Sequence, residues 1–248
     1  MDWTRETQDP LNEQVRQKTL SYLNKIRTPL PPSPSETGLD DYDAMIKKLA
    51  AGKRVLDIGI CEHTSERIQS SKWKHRLLVD SASYVLGIDI IESLIKDLDS
   101  LGFNVRVCDA TSEMSLGERF DLVHIGDVIE HVENPVKMLR FAKRHLAEGG
   151  RILVRTPNPY CYDYVWGVFR HGTDRSNLEH MFYVLPTHAL EMARRSGLQL
   201  VRYYTLRRSG RNLVKSVAKF LRWGFLPDEL YSTIFVYEFT APEQGKES

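Results

Sequence analysis

From residue 54 to residue 155 the chain repeats one pattern. Short, apolar, β-branched runs, the first four ending on an aspartate or glycine, are separated by stretches that include helical spacing. The runs are Arg54-Val-Leu-Asp-Ile-Gly59, Tyr84-Val-Leu-Gly-Ile-Asp89, Asn104-Val-Arg-Val-Cys-Asp109, Phe120-Asp-Leu-Val-His-Ile-Gly126 and Arg151-Ile-Leu-Val-Arg155. Runs this continuous suit strands covered on both faces, and intervening helices are what parallel crossover connections require. The pattern predicts an α/β fold, a mostly parallel seven-stranded sheet with helices on both faces. Leu198 to Thr205 and Ser232 to Thr240 supply the late strands, an antiparallel edge. Helices are expected over Ile91 to Leu101, Val136 to Leu146 (closed by Gly149-Gly150) and Pro186 to Ser196.

The N-terminus reads differently. Leu11, Val15, Leu20, Leu23 and Ile26 recur at helical spacing, and Pro29, Pro31, Pro32 and Pro34 then force an extended connector. Residues 1–38 are therefore an N-terminal helix and Pro-rich linker. Residues 39–248 form one domain, opened by a short helix from Asp40 to Ala51, with a small cap at 157–183 and a basic helical insertion at 207–227. A hydrophobic fraction of 42% and a charged fraction of 27% are enough for a sizeable core without staples. A formal charge of +1 gives no argument for a nucleic-acid partner. Cys61, Cys108 and Cys161 form neither a CxxC pair nor zinc spacing, which suits a reducing compartment. With no signal-peptide core and no apolar run long enough to span a bilayer, the chain is expected to be cytoplasmic.

Ligands of open parallel sheets bind outside the carboxyl ends of the strands, where strand order reverses. Four strand ends here carry suitable chemistry. The first is Asp57-Ile-Gly59-Ile-Cys61, where a glycine permits a tight turn close to a ligand. The second is Asp89 with Ile90, an acidic residue spaced to accept from ribose hydroxyls. The third is Asp109-Ala110, on the adenine side, and the fourth is Gly126-Asp127. A G-x-G-x-x-G fingerprint is absent, which disfavours a nicotinamide dehydrogenase. A Walker lysine loop is absent too.

Taken in order, these elements resemble class I S-adenosylmethionine methyltransferases, with their Rossmann-like sheet, over roughly residues 40 to 205. The segments Phe120-Asp-Leu-Val-His-Ile-Gly-Asp-Val-Ile-Glu-His-Val-Glu-Asn-Pro135 and Gly149-Gly-Arg-Ile-Leu-Val-Arg-Thr-Pro-Asn-Pro159 are similar to a subgroup of that family. It holds the ubiquinone-biosynthesis O-methyltransferases and many sugar or natural-product methyltransferases. The resemblance implies that S-adenosylmethionine is bound by Asp57, Gly59, Cys61, Asp89, Ile90, Asp109, Ala110 and Gly126. It also implies a divalent ion, magnesium, at Asp127, Glu130 and His131. The alternative is that Glu130 and His131 brace the loop beside the cofactor. One departure is plain: the family has three alternating glycines after the first strand, whereas Ile60, Cys61 and Glu62 follow Gly59 here.

Methyl transfer to a hydroxyl also needs the acceptor's proton removed. His131 is one candidate base. His180 is the other, with Glu179 as its orienting partner. Tyr160, Tyr162, Tyr164, Trp166 and Phe169 suit either a lid over a ring face or the core of the cap. Arg207, Arg208, Arg211, Lys215, Lys219 and Arg222 accompany Leu213, Val217 and Leu221. That pattern reads as a basic amphipathic helix, either a solvated face or a contact through 207–222 with an anionic surface. Trp73, Lys74 and His75 have no role in this scheme. The expected partner is a small-molecule acceptor. The expected function is O-methylation of a polyhydroxylated, sugar-like molecule, against a quinone or phenol O-methyltransferase and a non-catalytic cofactor-binding scaffold. Oligomeric state is left open.

Overall fold

The computed structural model describes residues 13–31, 40–61, 73–173, 177–205 and 227–242. Eight strands form one sheet: β1 (Arg27–Pro29), β2 (Arg54–Ile58), β3 (Tyr84–Asp89), β4 (Val105–Val107), β5 (Phe120–Gly126), β6 (Leu146–Pro157), β7 (Gln199–Thr205) and β8 (Ile234–Thr240). Their spatial order is β1-β7-β8-β6-β5-β2-β3-β4. From β2 the chain steps outward to β3 and β4, then returns to the other side of β2 for β5 and β6. Strand order therefore reverses between β2 and β5, and the crevice opens there. β8 runs antiparallel to both β6 and β7, and all other pairings are parallel.

The helices are α1 (Glu13–Ile26), α2 (Asp41–Ala50), α3 (Lys74–Val79), α4 (Glu92–Ser100), α5 (Pro135–Arg144), α6 (Tyr162–His171) and α7 (Pro186–Ser196). Successive side chains of β2 point to opposite faces. Leu56 and Ile58 join a core with Leu139 and Phe141 of α5 and Ala189 of α7, whereas Val55 joins Met45 and Ile46 of α2 and Leu78 of α3. The Asp40 carboxylate accepts from the Asp43 amide at 2.8 Å and caps α2. That cap fixes where Tyr42 enters the core.

Four expectations are revised. The sheet has an eighth strand, because Arg27-Thr-Pro29 at the start of the Pro-rich stretch pairs with β7. An edge strand tolerates the proline that an interior one would not. Gly149-Gly150 does not close α5. The helix ends at Arg144, and Gly149 takes a φ of +69° inside the long, irregularly paired β6. The cap contains a helix, α6, which has no buried residue. The unassigned stretch around Trp73 leads into α3. The basic insertion lies outside the described residues except for Pro227, and no helix among the described residues is long and apolar enough to cross a membrane.

The polar centre of the fold lies under the end of β2. Asp57, 3% exposed, faces His75 Nδ1 of α3 at 2.8 Å and His124 Nδ1 of β5 at 2.6 Å. Burial alone would raise its pKa, but the charges and hydrogen bonds of His124 and then His75 bring it down to about 2. An ionised carboxylate only accepts, so both Nδ1 atoms carry the donated proton. The Tyr42 hydroxyl, whose pKa burial pushes well up, keeps its proton and is hydrogen-bonded to His124 Nε2 at 2.6 Å. A pKa below that of the unfolded chain contributes stability above the unfolded value, about 3.9, and that stability is lost as pH falls through the folded one. The drop to about 2 corresponds to about 2 kcal/mol. Thermal unfolding between pH 4 and pH 2 should therefore show a loss of about that size, and Asp57→Asn should remove this part of the pH dependence.

Candidate functional site

A cavity of about 940 Å³ opens at the reversal of strand order and is lined from the carboxyl ends of β2, β3, β5 and β6. Its floor on one side is the turn after β2. Gly59 has a φ of +80°, and a Cβ there would come within 2.0 Å of Val128 Cγ2, so only glycine fits. Cys61 is buried, and its amide donates to Asp89 Oδ2 at 2.9 Å. Burial first, then the neighbouring Asp89 charge, push the Cys61 thiol far up, so it is an inert neutral group. Asp89 is 8% exposed, and its Oδ1 accepts the Ile91 amide at 3.1 Å. Ile90 is exposed beside it. Asp109 turns the chain by accepting from both the Thr111 amide and hydroxyl at 2.7 Å, with Ala110 buried behind it. Asp57, Gly59, Cys61, Asp89, Ile90, Asp109, Ala110 and Gly126 all line this one cavity.

The opposite wall is built from the turn after β5. Asp127 adopts a φ of +54°, a conformation rare outside glycine, and its carboxylate is ion-paired with Arg155 of β6. Arg155 also lies over the Tyr42 ring, 5.2 Å from its centroid. A short 3₁₀ turn, Ile129–His131, follows. It drives Glu130 inward to zero exposure, where Oε2 accepts from the Thr156 hydroxyl at 3.1 Å and buried Oε1 has no hydrogen-bond partner. Burial first, and the Asp127 carboxylate second, push the Glu130 pKa up to about 7. The Glu130 carbonyl accepts from the Met181 amide at 2.9 Å, which ties the 177–183 segment to this turn. That tie brings His180 Nε2 to 3.9 Å from Glu130 Oε1 and sets the His131 and His180 rings edge to face, 4.8 Å between centroids.

The expected magnesium ligands are therefore not the ones gathered. Glu130, His131 and His180 bring their ligand atoms within 4.8 Å of one another, while Asp127 is held by Arg155. One carboxylate and two imidazoles do not fit magnesium, which demands oxygen ligands and retained waters. A carboxylate that approaches His180 is Glu130, from a strand end remote in sequence. Of the five cap aromatics only Tyr164 lines the cavity. Tyr162, Trp166 and Phe169 stack on one another along α6, and Phe169 is 80% exposed. The lid reading therefore shrinks to one residue. Tyr42, Trp73, Lys74, His75, His124 and Arg155 line the cavity without having been foreseen. His124 and Arg155 lie in expected strands, so their inward register was the available signal. His75 carried none.

A family model described as a methyltransferase domain matches residues 36–203. The ubiquinone biosynthesis O-methyltransferase of Coxiella burnetii is 25% identical over 165 residues, covering 60% of this chain and 65% of that protein, so the chain spans less than two-thirds of its length. Among solved structures, an S-adenosylmethionine-dependent methyltransferase from Archaeoglobus fulgidus superposes with a TM-score of 0.56 at 17% identity, covering 80% of this chain and 92% of that one. The N-methyltransferase NodS of Bradyrhizobium japonicum, in complex with S-adenosyl-L-homocysteine, gives 0.50 at 15% identity over 92% and 98%. Those two likenesses concern the fold. The family match, running from before α2 to within β7 across the whole crevice, makes this chain a member of the class I S-adenosylmethionine-dependent methyltransferase family.

Proposed function

We propose that the protein transfers a methyl group from S-adenosylmethionine to a hydroxyl of a small polyhydroxylated acceptor. The observation that carries this reading is Glu130, a buried carboxylate near its neutral point, in the same cavity as Asp89. S-adenosylmethionine supplies an electrophilic methyl group on a sulfonium. On the cofactor side Asp89 accepts from the ribose hydroxyls, the Asp109-Ala110 turn meets the adenine, and Gly59 with Cys61 presents backbone to the methionine end. Gly126 sits between the two halves, and Ile90 covers the ribose side.

On the acceptor side Glu130 takes the hydroxyl proton, and His180 and His131 are the imidazoles placed beside it to share or pass it on. The rest of the catalytic effect is alignment of the acceptor oxygen with the methyl group. Asn177, Glu179, Thr233 and Arg155 line this half of the cavity, and donors and acceptors of that density suit a hydroxyl-rich molecule. Tyr164 offers one ring face to it. A second reading, a quinol or phenol acceptor, is supported by the relationship to ubiquinone biosynthesis O-methyltransferases. An acceptor screen with labelled S-adenosylmethionine, scored by product mass, separates the two. Methylation of no hydroxyl-bearing compound would leave a cofactor-binding scaffold.

Two outcomes are expected beside that screen. Asp89→Ala should weaken S-adenosylmethionine binding about tenfold or more in calorimetry, since charge-assisted hydrogen bonds are lost. Unchanged affinity would remove Asp89 from the ribose site. Turnover should rise with pH through about 7 as Glu130 loses its proton, the raised pKa meaning that the active carboxylate forms only above that point. Glu130→Gln should abolish that limb and cost about a hundredfold in turnover. Activity should persist in excess chelator, and a dependence restored by magnesium would bring Asp127, Glu130 and His131 back as a metal site.

A further inference from the structure

The turn after β2 must hold its shape with fewer glycines than its family uses. Only Gly59 is left-handed there, and a β-branched residue, Ile60, follows it directly. A turn of this composition is fixed by what grips it from outside. We propose that Trp73 and His75 are positioning residues for the cofactor: they hold the 59–61 turn in its binding shape, a task the missing glycines leave open. This proposal rests on the reading of the crevice as an S-adenosylmethionine site.

The grip is specific. Trp73 Nε1 donates to the Ile60 carbonyl at 2.8 Å, and His75 Nδ1 donates to Asp57 at 2.8 Å. These contacts bracket Gly59, whose own amide donates to the Ile88 carbonyl at 2.9 Å. The next residue along, Cys61, donates to the carboxylate of Asp89. A displacement of Ile60 is therefore passed through one peptide to the group proposed to hold the ribose. Trp73 and His75 are each 1% exposed, and their rings pack on each other and on Phe103, with centroids 5.1 Å apart for Trp73–His75 and for Trp73–Phe103.

Two features show that His75 is not simple filling. Its Nε2 is buried without a hydrogen-bond partner, a cost that a phenyl ring of similar size would avoid. Room for it also requires Gly87 on β3: a Cβ there would lie 2.6 Å from His75 Cε1 and 2.7 Å from Ile60 Cδ1. Strand, turn and ring are thus fitted to one another. Asp57, in turn, has each carboxylate oxygen taken by an imidazole, so it serves the cofactor by anchoring the turn.

The test is calorimetric titration of the full chain with S-adenosyl-L-homocysteine, alongside steady-state kinetics. His75→Phe keeps the ring and loses the donor to Asp57, and Trp73→Phe loses the donor to Ile60. Each should weaken binding about tenfold. The KM for S-adenosylmethionine should rise to match, with a smaller effect on kcat. His75→Asn, whose side-chain amide can reach the position of Nδ1, should recover most of the lost affinity, which a purely space-filling role does not allow. Trp73→Phe and His75→Asn keep the proposal testable if His75→Phe does not fold. Wild-type affinity in both phenylalanine variants, or an Asn variant as weak as the Phe variant, overturns the positioning role. Wild-type protein that fails to bind S-adenosyl-L-homocysteine overturns the cofactor reading itself, a different result.

Discussion

The buried charge of Asp57 is the constraint around which the rest is arranged. It lies on a central strand, next to the point where strand order reverses, and is almost wholly buried. A carboxylate in that position survives only with strong donors, and two imidazoles from different elements supply them. Meeting that demand fixes α3 through His75, β5 through His124 and α2 through Tyr42. Three elements are thereby tied to the end of β2. The crevice inherits its shape from this lock, because the turn carrying Gly59 begins two residues beyond the carboxylate.

Charge on the opposite wall is handled by a separate pair. Asp127, in its left-handed conformation, is held by Arg155 from the adjacent strand, and the guanidinium is braced by the face of Tyr42. Tyr42 thus belongs to both networks, its hydroxyl on His124 and its ring under Arg155. Helix α2, which carries it, is a structural part of the site, although the sequence pattern offers it only as a lead-in to the first strand.

Most of the architecture was legible because it depends on local signals. Strand runs, their order and the acidic residues at their ends are written in consecutive residues, and β2, β3, β5 and α7 fall within a residue or so of expectation. What was not legible depends on pairings distant in sequence. Arg27-Thr-Pro29 becomes a strand only because β7 offers it an open edge. Gly149 looks like a helix stop, yet it marks an irregularity where β6 meets β5. The cap aromatics looked like a lid because density says nothing about direction, and α6 turns most of them outward. His75 pairs with a residue 18 positions earlier through an intervening segment without periodicity. The approach of Glu130 to His180 was not legible either, because a backbone hydrogen bond at Met181 brings together residues distant in sequence.

Asp57 and Glu130 make the division of labour physical. Both are buried carboxyls, one on β2 and one in the turn after neighbouring β5, and in both burial is the largest influence and acts to raise the pKa. They part company over donors. Asp57 has two imidazole N–H groups, one on each oxygen, and falls to about 2. Glu130 has a backbone N–H and the Thr156 hydroxyl, together with the repulsion of Asp127, and rises to about 7. A carboxylate held ionised at every physiological pH is suited to ordering its surroundings and cannot exchange a proton. A carboxyl held near neutrality is poorly suited to bracing a loop, since its charge is not fixed, but it is well placed to accept a proton and give it up again. Pushing the two apart within one crevice separates the half proposed to bind the cofactor from the half proposed to act on the acceptor. The separation needs no difference in residue chemistry beyond one methylene: it follows from which carboxyl the imidazoles of α3 and β5 reach.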